Sequence, residues 1–107
     1  MKVIDKNGIV CDSLDVFRAA LEVFGVETQI RKLFEEVAEM LEAVCKCADG
    51  RDTVQHLAEE IADVRIMLDQ MCILYDCDLA SAEQYSSKVE RLRERVKESG
   101  GAPNERC

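Results

Sequence analysis

The sequence predicts an all-α protein: a four-helix antiparallel bundle preceded by a short N-terminal β-hairpin. Three observations lead there. Apolar residues recur at three- and four-residue spacing in four separate segments, the mark of a helix face. Clusters of Gly, Asp and Asn punctuate the chain between those segments. One Pro and five Gly leave long helices uninterrupted.

The elements follow in order. Asn7-Gly8 lies between two short β-branched runs, a hairpin signal. An isolated hairpin is marginal, so it must pack on something. The first helix spans about 13–24, with Ser13 as N-cap, a stripe of Leu14, Phe17, Leu21 and Phe24, and Gly25 as its stop. The second runs about 28–48, with Ile30, Leu33, Phe34, Val37, Leu41, Val44 and Ala48 on one side, and ends at Asp49-Gly50. The third starts after Asp52 or Thr53, where Asp52 and Gln55 have capping-box spacing, and continues to about Tyr75. After Asp76-Cys77-Asp78 the fourth helix covers about 79–98. Residues 99–107 read as a polar tail that frays. No linker divides the chain, so residues 1–98 read as a single helical domain.

Composition narrows the function. The 107 residues suit one domain with a modest core. Fourteen basic and 22 acidic residues give a net charge of −8. That argues against a nucleic-acid polymer as partner, because such affinity rests on neutralising phosphates with Lys and Arg. No apolar run reaches the ~18 residues of a membrane span, and the N-terminus lacks a signal-peptide pattern, so a cytoplasmic protein is expected. The six cysteines, at 11, 45, 47, 72, 77 and 107, are then reduced thiols. Cys45 and Cys72 fall on apolar helix faces and read as small core residues. With no Cys-x-x-Cys and only one His, zinc is not indicated.

The second and third helices carry an echo. Glu35-Glu36-Val37-Ala38-Glu39 is answered by Glu59-Glu60-Ile61-Ala62-Asp63. Carboxylates three apart share a helix face, so Glu36 pairs with Glu39, and Glu60 with Asp63. Glu36 and Asp63 are equidistant from Asp49-Gly50, as are Glu39 and Glu60. In an antiparallel hairpin the four acids therefore share one level, roughly 15–20 Å from the turn. On a helical wheel, Leu57, Ile61, Val64, Leu68, Met71 and Tyr75 form one apolar arc; Glu60 falls inside it and Asp63 at its edge. Glu36 borders the core near Met40, whereas Glu35, Glu39 and Glu42 face away from the main stripe.

Four buried acids repel one another and need positive charge. Two readings stay open here: a divalent metal, with oxygen ligands favouring Mg²⁺, Mn²⁺ or Ca²⁺, or a solvated or Arg-paired acidic face. Di-iron chemistry is excluded by the absence of Glu-x-x-His repeats. His56 precedes Glu59 and reads as a surface or capping residue. There is no Gly-rich dinucleotide fingerprint and no P-loop, and a single His supports no Ser/His/Asp or Cys/His set. A Mg²⁺ cage takes substrate phosphates, and Lys88, Arg91 and Arg95 share a face of the last helix. The alternative is that they pair with Glu90, Glu94 and Glu98 in solvent.

Glu-Glu-x-x-Glu, then 20 residues, then Glu-x-x-Asp resembles the signature of the MazG-like, all-α nucleotide pyrophosphohydrolases. Gln29 through Ala43, Ala58 through Tyr75, and Lys88 through Arg95 all look like the short phage-type and Firmicute-type members, over about residues 13–96. The resemblance implies Mg²⁺-dependent hydrolysis, with Mn²⁺ as substitute, of a nucleoside triphosphate to monophosphate and pyrophosphate. It implies Glu36, Glu39, Glu60 and Asp63 as metal ligands. Glu35, with Glu36 beside it, would form the catalytic pair, Glu35 orienting or deprotonating the attacking water. Lys88 and Arg91 would meet the phosphates, and Gln29 would wall the base pocket. Leu92 stands where many relatives have Asn, which bears on the phosphate contacts and substrate choice.

The third helix is apolar nearly all round beyond Asp63, so it needs cover on every side, and a homodimer or homotetramer is expected, as in relatives. Two function classes fit the residues: the pyrophosphohydrolase, and a non-catalytic helical module that binds nucleotide or metal on the same scaffold.

Overall fold

The computed structural model describes residues 2–4, 6–8 and 10–101, without the side chains of Lys2, Val3, Val10 and Cys11. Residues 102–107 of the expected tail, Cys107 included, lie outside the described residues, as does the Cys11 side chain. The chain is all-α. Its helices, among the described residues, are α1 (Ser13–Phe24), α2 (Val26–Ala48), α3 (Val54–Leu74) and α4 (Asp78–Glu98). Two short strands precede them, β1 (Lys2–Ile4) and β2 (Val10–Asp12), paired antiparallel with Lys2 opposite Asp12 and Ile4 opposite Val10. No helix among the described residues is long and apolar enough to cross a membrane.

Contacts divide the chain into two compact units, Met1–Asp76 and Cys77–Cys107. In the first, α2 and α3 make the most extensive contact, α1 packs on both, and β2 leads into α1. The second unit contains α4, whose side chains are all exposed.

Local chemistry sets the helix ends. Asp12, not Ser13, caps α1: its carboxylate accepts the Leu14 N–H at 3.1 Å, while Ser13 is buried. The acid is the stronger acceptor at the helix's positive end. Gly25, at φ 88°, closes α1 and leads straight into α2, which therefore begins at Val26. At the other end of α2 the Arg51 N–H donates to Lys46 O and the Gly50 N–H to Cys47 O. This is the Schellman arrangement, and it needs the left-handed φ of 72° that Gly50 supplies. Thr53 caps α3, its hydroxyl accepting the His56 N–H at 3.1 Å; Asp52 instead accepts the Thr53 N–H at 2.7 Å. The N-cap is thus Thr53, and no Asp52–Gln55 capping box forms. Thr53→Ala is expected to cost about 1 kcal/mol of stability, read as a lower midpoint in urea unfolding.

The inward faces match the expected stripes in part: Ile30, Leu33 and Val37 on α2 and Leu57, Val64 and Met71 on α3 are buried or half-buried. On α2, Gln29, Glu36 and Ala43 are buried and Leu33, Met40 and Cys47 half-buried. That set has alternating four- and three-residue spacing, the pattern of two helices packed along a shared seam. Phe34 and Leu41, expected inside, are 71% and 56% exposed, and Val44 is exposed too. On α3 the inward set is Leu57, Glu60, Val64, Met67, Gln70, Met71 and Leu74, with Ile61, Leu68 and Tyr75 outside. The seam is built on the acid-bearing faces, and each helix turns a second apolar stripe outward. Cys45 is exposed and Cys72 half-buried, so Cys45 is not a core residue.

Candidate metal centre

The fixed turn at Gly50 and the α2–α3 seam bring the acids together. One carboxylate oxygen each from Glu36, Glu60 and Asp63 lies within 4.8 Å of the others. Glu36 is buried, Glu60 half-buried and Asp63 exposed, so the cluster runs from the seam to its edge. Glu39, expected to face away, stands beside it. Its carboxyl is held above the ordinary range chiefly by the charge of Glu36, then by desolvation and by the charge of Glu60. The equidistance of these positions from the turn therefore describes the real register.

Two oxygens of these acids lack a partner. Glu36 Oε2 and Glu60 Oε2 are buried and make no hydrogen bond. A buried carboxylate oxygen without a partner carries a desolvation penalty of several kcal/mol per ion. A hard divalent cation satisfies such atoms, and an all-carboxylate set is the donor chemistry Mg²⁺ and Mn²⁺ take. The residues present fit such an ion.

The other oxygens are taken. Lys32 Nζ lies 3.2 Å from Glu36 Oε1, and His56 Nε2 lies 3.1 Å from Glu60 Oε1. His56 Nδ1 is 2.6 Å from Asp52 Oδ2. Glu36 holds the Lys32 ammonium above its usual range, and the hydrogen bond to Asp52 does the same for His56. His56 is exposed, as expected of a surface residue, yet it also touches the cluster. Lys32 and His56 were legible only as i, i+4 partners of Glu36 and Glu60.

The remaining candidates are dispersed. Glu35 is exposed on α2, outside the three-acid set. Gln29 is buried, two turns before Glu36 on the same seam. The register that aligns the acids also sets Gln29 level with Gln70, a buried amide whose carbonyl oxygen makes no hydrogen bond. Gln70 escaped the sequence reading, although it is as far beyond the Asp49-Gly50 turn as Gln29 is before it. Lys88 and Arg91 lie one turn apart on α4, both exposed, in the second unit. No family model, no curated protein and no solved structure matches the chain.

Proposed function

We propose that this protein is a Mg²⁺-dependent nucleoside triphosphate pyrophosphohydrolase that cleaves an NTP or dNTP with water to the monophosphate and pyrophosphate. The observation that carries the reading is the convergence of Glu36, Glu60 and Asp63, with two buried oxygens lacking any partner. The resemblance of the acid pattern to MazG-like enzymes supplies the reaction class.

In this reading Glu36, Glu39, Glu60 and Asp63 hold the metal, and Mn²⁺ can replace Mg²⁺. A divalent cation supplies Lewis acidity, lowering the pKa of water and offsetting charge on the phosphates. Glu35, acting beside Glu36, orients the attacking water and takes its proton. Water oxygen bonds to phosphorus as the α–β anhydride bond breaks, and pyrophosphate leaves. The resemblance implies Gln29 as the residue bordering the base and Lys88 and Arg91 as the phosphate-binding cations.

The test is pyrophosphate release from a panel of NTPs, dNTPs and modified nucleotides, with Mg²⁺ and with EDTA. Release from one or a few nucleotides, lost in EDTA, is the expected result. No release from a folded protein that binds Mg²⁺ favours the non-catalytic module and makes Leu92 the first suspect.

The outward apolar stripe of α2 supports a homo-oligomer. Phe34, Leu41 and Val44 share that exposed face. Light scattering is expected to give a dimer or tetramer, and Phe34→Glu to give a smaller species.

A further inference from the structure

We propose that Lys32 and His56 are paired positioning residues that aim the metal-facing oxygens of Glu36 and Glu60, an inference that rests on the metal-site reading above. The two helices repeat one device. Lys32 stands four residues before Glu36, and His56 four residues before Glu60. Each contacts Oε1 of its acid, at 3.2 Å and 3.1 Å. Each leaves Oε2 buried and without a partner. The internal echo of the acids thus extends one turn toward each N-terminus.

A carboxylate has two oxygens and a freely turning terminal torsion. Fixing one oxygen fixes where the other points. Lys32 and His56 therefore remove the rotational freedom that an incoming cation would otherwise have to restrain. His56 is anchored in turn: its other ring nitrogen is 2.6 Å from Asp52 Oδ2, and Asp52 Oδ1 accepts the Thr53 N–H at the start of α3. The chain of contacts runs from the helix cap to the cluster. Outer groups that hold metal-ligating carboxylates contribute about tenfold to a hundredfold in metal affinity.

The sign of the effect separates positioning from simple electrostatics. Lys32 is a cation beside a site for a cation. If it only added charge, removing it would tighten metal binding. If it aims Glu36, removing it weakens binding.

The experiment is Mn²⁺ binding to the full chain, read from the electron paramagnetic resonance signal of free Mn²⁺ at one pH. Lys32→Met and His56→Leu are each expected to raise the dissociation constant about tenfold or more. Lys32→Arg and His56→Gln keep a donor at the same place and are expected to recover most of the loss. Both side chains are about half exposed, so the variants keep the fold, and unchanged circular dichroism and melting cooperativity check this. Unchanged or tighter Mn²⁺ binding in a folded Lys32→Met or His56→Leu overturns the assignment for that residue. Weakening that the conservative variant does not recover overturns it too. Failure of the unaltered protein to bind Mn²⁺ is a distinct outcome, and it removes the metal site together with this inference.

Discussion

Glu39→Gln and Asp63→Asn are each expected to abolish pyrophosphate release while leaving the protein folded. Both changes are nearly isosteric, and each deletes one negative charge from a set that works together. Loss of an outer group around a metal costs up to about a hundredfold, so loss of a ligand is expected to cost more than that. Stability moves the other way. The carboxyl of Glu39 is held above its ordinary range mainly by Glu36, so its charged form is disfavoured in the native protein. Neutralising it removes repulsion. The expected pair of results is an inactive enzyme that melts no lower than the original. Full activity in Glu39→Gln would sink the assignment.

The second large effect couples pH, metal and stability. Because the folded-state value of Glu39 is raised, the native protein binds that proton more tightly than the unfolded chain does. Its contribution favours folding while the group is protonated and is lost as pH rises through the raised value. The window opens near the ordinary carboxyl value of 4.5 and extends upward. In EDTA, the melting temperature of Glu39→Gln is therefore expected to gain on that of the original protein as pH rises through and above 4.5. Saturating Mg²⁺ is expected to stabilise the original protein through binding to the native state and to reverse that order. Parallel melting curves across pH, with and without metal, would contradict the charge cluster.

Much of this was legible because it is local. Gly25 and Gly50 stop helices through backbone conformations that other residues resist, so the α1–α2 and α2–α3 boundaries follow from the sequence. With Gly50 fixed, counting residues from the turn sets the register of Glu36, Glu39, Glu60 and Asp63. The seam was harder. On α2 one stripe holds Phe34, Leu41 and Val44, the other Leu33, Met40 and Ala43 with Gln29 and Glu36 among them. Hydrophobicity favours the first. The chain packs α3 against the second, the stripe that holds the buried Gln29, Glu36 and Ala43. On α3 Ile61 and Leu68 are likewise exposed, while Glu60 lies inward as its place inside the apolar arc predicts. His56 is exposed as expected, but its contact with Glu60 was hidden for a related reason. One His at a helix start looks like a cap, and its bond to Glu60 exists only once Glu60 is held at the seam.

We propose that Glu36, Glu39, Glu60 and Asp63 form a metal centre for cleaving the α–β bond of a nucleotide. Phosphorus-31 NMR of one hydrolysed nucleotide tests it most directly, with Mg²⁺ and then with excess EDTA. Equal amounts of monophosphate and pyrophosphate are expected with Mg²⁺, and no products in EDTA. Diphosphate with orthophosphate, or the same products in EDTA, would contradict it.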